Sequence, residues 1–269
     1  MPEGDVLRRT AARLDQALAG RVLTRAELRW PSVAGVDLVG RTVLVTAPYG
    51  KHLLTRLDDG RTLHTHLRMD GRWSVERTGS VQAAGRRSDV RVLLGNAVWT
   101  AVGHELGMVD VVATRDEGTL VGHLGPDVLA DDFPTAGLPE ALRRWGLTGA
   151  TPACEVLLDQ RVAAGIGTIY LAESLFALGT WPWTPADQVD AGRLLGVART
   201  LMQRSVAAEL PGSTGDRERT TRRVHGRARQ PCLRCGTPIR VGEARRPPTT
   251  RPVFYCPRCQ APGTTIPGP

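Results

Sequence analysis

Apolar positions in the first twenty residues recur at helical spacing. Val6, Leu7, Ala11, Leu14, Ala17 and Leu18 share one face of "PEGDVLRRTAARLDQALAG", and Gly20 supplies the stop. From about residue 22 to 122 the period shortens. β-Branched runs follow one another: "TVLVTA", "HLLTRL", "TLHTHL", "VRVLLG", "AVWTAV" and "MVDVVA". Polar turns such as "DDG" separate them. The pattern predicts an antiparallel sandwich or flattened barrel. Residues 77–89, "RTGSVQAAGRRSD", have no period and read as a mobile loop.

After "HLGPDVLADDFP" the strand signals stop. Helical spacing is found near 138–146, 151–163, 168–178 and 187–208. Within "AAGIGTIYLAESLFALG" one helix ends at the glycines and a second begins near Thr168, a residue type suited to an N-cap. Backbone N–H groups at such a helix start favour phosphate, although an ordinary packing corner gives the same pattern. Two last strands are expected in "CGTPIRV" and "RPVFYC". No internal repeat is present.

Composition refines this picture. The 269 residues are 41% hydrophobic but only 4% aromatic, so Leu, Val and Ala must fill most of the core. No apolar run reaches the length of a membrane span. "MPEGDVLRRT" has no apolar stretch after its charges and does not read as a signal peptide. A soluble, cytoplasmic protein is expected. The net charge of +8 is unevenly placed: residues 217–258 hold 12 Arg and 2 Glu, and the rest of the chain is slightly acidic. A basic stretch suits a polyphosphate partner through counterion release. A solvated Arg-rich tail would look the same by charge alone.

Four of the five cysteines form C-x2-C-x20-C-x2-C: Cys232, Cys235, Cys256 and Cys259. Two such knuckles point to zinc. Four thiolates close a tetrahedron with no open position, so one structural zinc ion is expected rather than a catalytic one. The zinc would tie a β-hairpin presenting Arg240, Arg245, Arg246 and Arg251 near its turn. Cys154 stands apart and reads as a small buried hydrophobe.

Two features carry chemistry. The chain begins Met-Pro, and methionine is commonly removed before a small second residue. A free prolyl amine at Pro2 would have a pKa far below that of a lysine and would be partly unprotonated at neutral pH. Attack on an aldehyde or a sugar C1′ would give an iminium ion, and Glu3 stands beside it to move protons. Lys51, in "PYGKHLL", is the only lysine, and the other 34 basic residues are arginine.

Taken together, "MPEGD", "YGKHLL", "HLRMDG", "LGPDVL", "LLDQRVAAGIGTIYLAE", "GRARQPCLRCGTPI" and "RPVFYCPRCQ" resemble the formamidopyrimidine-DNA glycosylase and endonuclease VIII family of base-excision repair enzymes. The resemblance covers nearly the whole chain. It implies an α+β protein: an N-terminal antiparallel β-sandwich with a flanking helix, then a helix–two-turn–helix domain, then a four-cysteine zinc-finger β-hairpin. The implied boundaries are 1–124, 125–228 and 229–269.

The resemblance also implies roles. Members flip a damaged base from the duplex, cut its glycosidic bond and break the strand by β,δ-elimination. Pro2 would be the nucleophile and Glu3 the acid. Lys51 would contact the phosphate beside the lesion and support catalysis. His66 would touch phosphate, and Met69 would wedge into the gap left by the flipped nucleotide. Without the resemblance they read as a structural histidine and a core methionine. Gly167, Thr168 and Arg251 would grip phosphates. Damaged double-stranded DNA is the implied partner, with bubble or single-stranded DNA left open, and the protein would be a monomer associated with a bacterial nucleoid.

Several positions depart from the family pattern. Thr168 stands where Asn is usual. "GEARRPP" lengthens the hairpin. His104 and Leu106, in "VGHELG", stand where purine-lesion enzymes carry an Arg and a Phe that fill the opposite strand. Cys154 replaces a Lys frequent in those enzymes. These departures favour the endonuclease VIII branch and oxidised pyrimidines. Action on oxidised purines, action mainly on abasic sites, and non-catalytic binding of damaged DNA are the alternatives.

Overall fold

The computed structural model describes residues 2–208, 222–246 and 249–262. The chain divides into two compact units, 1–123 and 124–269. No helix among the described residues is long and apolar enough to cross a membrane.

In the first unit, helix α1 spans Gly4–Leu18 and buries Leu7, Ala11, Leu14 and Leu18, the face its spacing predicts. Ala19 N–H closes the helix on Asp15 O, and Gly20 follows at φ 71°. Eight strands come next: β1 Arg25–Leu28, β2 Val43–Tyr49, β3 His52–Leu57, β4 Arg61–His66, β5 Arg72–Arg77, β6 Val90–Gly95, β7 Trp99–His104 and β8 Met108–Ala113. They form two antiparallel four-stranded sheets, ordered β1-β6-β7-β5 and β2-β3-β4-β8. Leu53, Leu57, Leu63 and Val109 from the second sheet meet Val92, Leu94 and Ala101 from the first, with Leu7 and Leu14 of α1 in the same core. This is the expected sandwich.

The segment 77–89 has a different role from the one expected. It holds a 3-10 turn at Gln82–Ala84, and Ala83 is buried. Arg25 donates to Ala83 O and Ala84 O, and Arg29 donates to Gly85 O. Val90, Leu93 and Val102 form a second apolar cluster. Gly85 lies against Leu93, so the segment is anchored where that cluster needs cover.

The second unit opens through a π-helical turn at Phe133–Gly137 and then contains α3 Leu138–Gly146, α4 Ala153–Leu158, α5 Thr168–Leu178 and α6 Ala191–Ala208; the preceding α2, Gly118–Val121, belongs to the first unit. Two expected helices are shorter than their spacing suggests. α4 stops at Leu158 because the following chain is drawn into backbone pairing: Gly125 N–H donates to Gln160 O, and Ala164 N–H to Pro126 O. α6 starts at Ala191 because Asp190 caps it, accepting Arg193 N–H on Oδ1 at 2.9 Å. Strands β9 Arg240–Arg246 and β10 Thr249–Tyr255 make the hairpin. "CGTPIRV" is thus mostly turn, with the strand beginning at its Arg240. The hairpin shares the helical core: Ala244, Val253 and Cys256 are buried with Leu171, Leu175, Leu194 and Met202.

Candidate active site and nucleic-acid interface

α1 runs antiparallel to β2. Gly20 N–H donates to Val43 O, and Thr46 N–H donates to Asp15 Oδ1, both at 2.8 Å. From Asp15 back to Gly4 the helix rises about 16 Å at ~1.5 Å per residue. From Thr46 forward to Lys51 the strand covers about 16 Å at ~3.3 Å per residue. The two lengths match, so the start of α1 comes level with the β2–β3 turn. That end of the sandwich carries Pro2, Glu3 and Lys51. Glu3 is the N-cap residue of α1, its carbonyl accepts Val6 N–H at 2.9 Å, and it is only 1% exposed. A carboxyl is placed there at the cost of desolvation. Lys51 sits with Gly50, φ 56°, in a two-residue turn between Tyr49 and His52.

His66 ends β4 and pairs with His52 across the sheet. Its Nδ1 accepts Arg68 N–H at 2.8 Å, and the two imidazoles meet edge-on with centroids 4.8 Å apart. Burial first, then Arg68, His64 and Lys51, hold His66 near pKa 4. Burial, with His66, His64, His123 and Arg68 nearby, holds His52 near 3. Both rings are neutral at physiological pH. His64, 1% exposed, bridges His52 and Asp110: Nε2 lies 2.7 Å from His52 Nδ1 and Nδ1 lies 3.0 Å from Asp110 Oδ2. His52, His64 and Asp110 were not singled out from sequence. The signal was present in "LHTHL", where His64 and His66 are two apart and so share one face of a strand.

Met69 occupies the β4–β5 turn and is 53% exposed, not core. The turn is tightly backed. A Cβ on Gly71 would fall 2.4 Å from Leu67 O, and one on Gly107 would fall 2.0 Å from Arg68 Cγ. His104 and Leu106 do not project from the β7–β8 turn. Leu106 is 2% exposed and packs in the core over Gly103. His104 Nδ1 lies 3.3 Å from Asp89 Oδ2, within ion-pair range though outside hydrogen-bond geometry.

In the second unit, Gly167 is the N-cap of α5 and Thr168 its first residue. Thr168 is not the cap its type suggests: Leu171 N–H bonds to Gly167 O, and Thr168 is buried at 7%. The Gln160 side chain clasps the loop before it, donating to Ile166 O at 2.9 Å and accepting Gly165 N–H at 3.0 Å. Gly165, at φ 108°, needs the absence of a side chain there.

The four cysteine sulfurs lie within 4.8 Å of one another. Cys232 and Cys259 sulfurs are 4.0 Å apart, and Cys235 and Cys256 sulfurs 3.5 Å. A tetrahedral zinc with bonds of ~2.3 Å needs sulfurs about 3.8 Å apart. Arg234 N–H donates to Cys232 Sγ and Cys259 N–H to Cys256 Sγ, as suits thiolates. Buried Gln260 fixes the second knuckle, accepting Cys256 N–H and donating to Thr180 O. The donor set fits a closed metal site. Arg251 stands opposite Ala244 on the hairpin, and Arg245 lies one residue from the end of β9. Arg240 pairs with Tyr255 at the cysteine end of the hairpin, not near its turn as expected. Pro247 and Pro248, the Arg246 side chain and Met1 lie outside the described residues. Cys154 is fully buried, and burial, then Glu155, raise its thiol to about 12, consistent with an inert hydrophobe.

A β-sandwich with a buried carboxyl at its N-terminal helix, followed by a helical unit whose C-terminal hairpin carries four clustered cysteines, defines a two-unit architecture. A profile of the formamidopyrimidine-DNA glycosylase N-terminal domain matches residues 1–112. The "Probable endonuclease 8 2" of Streptomyces coelicolor is 45% identical over 100% of this chain and 97% of its own. The "DNA-(apurinic or apyrimidinic site) lyase Nei2" of Mycolicibacterium smegmatis is 36% identical over 97% of this chain and 99% of its own. The Lactococcus lactis formamidopyrimidine-DNA glycosylase, solved bound to DNA containing an AP site, superposes with a TM-score of 0.78 at 20% identity, covering 96% of this chain and 99% of that one. The chain belongs to the formamidopyrimidine-DNA glycosylase and endonuclease VIII family, nearer its endonuclease 8 members.

Proposed function

We propose that this protein is a bifunctional base-excision repair enzyme, a DNA glycosylase with abasic-site lyase activity, acting on oxidised pyrimidines. The observation that carries the proposal is Glu3, 1% exposed at the cap of α1, which the lengths of α1 and β2 bring level with the turn of the lone Lys51. The Pro2 nitrogen, freed by removal of Met1, attacks C1′, the damaged base leaves with the glycosidic bonding pair, and the nitrogen loses its proton to the departing base or to solvent. Glu3 protonates the ring oxygen, the sugar opens and the C1′–nitrogen linkage becomes an iminium. The iminium acidifies the C2′ proton, whose loss expels the 3′ phosphate. A second elimination expels the 5′ phosphate. No oxidant is consumed.

Around this centre Lys51 and His66 hold the phosphate at the lesion, and Met69 fills the space of the extruded nucleotide. Gly167 and Thr168 offer backbone N–H groups at the start of α5, and Arg251 holds flanking phosphates. The four cysteines hold one zinc ion, whose contribution is to order the hairpin. The inward-turned His104 and Leu106 support the pyrimidine preference, because neither side chain is available to fill the opposite strand.

The test is borohydride trapping on a duplex with one abasic site, followed by intact-mass and peptide mapping. An adduct on Pro2, with Met1 absent, is expected. No adduct from demethionylated, zinc-loaded protein would overturn the catalytic reading in favour of a damaged-DNA binder. Duplexes carrying thymine glycol or an oxidised guanine separate the pyrimidine reading from the purine one.

A further inference from the structure

Leu53, Leu57, Leu63 and Val109 face the sandwich core, so strand alternation sends His52, His64, His66 and Asp110 to the other face of the same sheet. There the four groups make a continuous line. With all three rings uncharged, the hydrogen bonds assign each proton. A carboxylate only accepts, so His64 carries its proton on Nδ1 and gives it to Asp110. His64 Nε2 must then accept, and His52 donates to it from Nδ1. His66 accepts at Nδ1 from Arg68 N–H, so its own proton sits on Nε2. A buried aromatic or aliphatic residue at 64 would fill the same space without the cost of desolvating polar rings.

We propose that Asp110, His64 and His52 form a tautomer relay that positions His66 beside the Lys51 turn as a neutral N–H donor to a DNA phosphate oxygen. The relay holds the His52 ring as the wall against which His66 packs edge-on. Lys51 then supplies the charge, and His66 supplies a directed hydrogen bond without a third cation beside Lys51 and Arg68. Asp110, His64 and His52 are positioning residues. This inference rests on the phosphate-binding reading of that end of the sandwich.

The test uses full-length, zinc-loaded protein labelled with nitrogen-15 histidine. Long-range proton–nitrogen correlations should show His64 and His52 protonated on Nδ1 and His66 on Nε2. In His64→Phe the His52 proton should move to Nε2. Affinity for a duplex carrying a tetrahydrofuran abasic analogue should fall about tenfold, the scale of one hydrogen bond to a charged group. Trapped turnover at saturating abasic DNA should stay within about twofold, since binding and not chemistry is altered. Asp110→Leu is the second variant, at a side chain one-third exposed, should His64→Phe fail to fold. Wild-type His52 protonated on Nε2 would overturn the relay, as would unchanged DNA affinity in both variants. Wild-type protein with the expected tautomers but no affinity for the abasic duplex would sink the proposed function, and the phosphate role with it.

Discussion

At the scale of single residues, scarcity was the most legible signal. A lone lysine and an N-terminal Pro-Glu stand out by residue type alone, and the fold brings both to one end of the sandwich. Lys51→Arg tests whether the compact ammonium matters, because it keeps the charge and changes only its shape. Trapping on abasic DNA should drop about tenfold or more if a charge-assisted bond is lost, measured as initial rate at saturating duplex. Glu3→Gln should slow base excision by about 10²–10⁴, the usual contribution of a general acid, while leaving duplex binding in place. Less legible were groups whose role depends on burial. Leu106 and Thr168 stand where family members carry other residues, and both turn inward. His52 and His66 also carry a pH prediction. Their folded pKa values, about 3 and about 4, lie below the ordinary 6.5. Between those limits the unfolded chain binds protons that the folded protein refuses, so stability falls as pH falls below 6.5. Urea midpoints measured from pH 7 to 4.5 should decline, and the decline should be shallower in His52→Phe.

At the scale of elements, six strands show their period in the sequence and two do not. β1, "RAEL", and β5, "RWSVER", are the two edges of the first sheet, half-buried and charged. Edge strands are protected from stray pairing by such charges, and this removes the hydrophobic pattern that would reveal them. The apolar spacing overstates the lengths of α4 and α6, because it continues past the points where backbone pairing or a capping Asp ends the helix. The Met69 turn depends on the close approach at Gly71. Gly71→Ala would place a Cβ against backbone atoms that cannot yield cheaply, so a cost of about 1–3 kcal/mol is expected. Thermal unfolding should report it, and abasic-duplex affinity should fall with the displaced turn. A second clasp lies at the far end of the same sheet. Arg56 and Thr62 bond the Glu117 carboxylate, joining β3 and β4 to the segment after β8. The Arg56 bond, acting against burial, holds Glu117 below its ordinary 4.5. Its contribution to stability is present above that value and is lost as pH falls through the lower folded one.

At the scale of the whole molecule, the order of sandwich, helical segment and metal hairpin was legible from motif order and cysteine spacing. What the spacing could not show is that the hairpin and the helices share a core. Ala244, Val253 and Cys256 are buried among helix residues, and the Arg234 guanidinium lies 4.3 Å from the Phe176 ring centroid. Chelation of the metal should therefore loosen more than the hairpin. Hydrogen exchange after chelation is expected to rise in α5, α6 and residues 230–262, with the sandwich strands unchanged; exchange in the helices that stays at its metal-loaded rate would refute the shared-core account. The placement of charge adds a solution property. With twelve arginines between 217 and 258, DNA affinity should fall steeply and linearly on a log–log plot against salt.

The two-residue turn that carries Lys51 gives the molecule an unusual chemical handle. In the proposed form lacking Met1, the terminal nitrogen is a secondary amine, and the Lys51 side chain is the single primary amine among the 268 remaining residues. An acylating reagent selective for primary amines would mark one position, at the proposed catalytic end of the sandwich. Its rate of labelling, followed by mass spectrometry, becomes a direct meter of whether that end is open or covered by DNA.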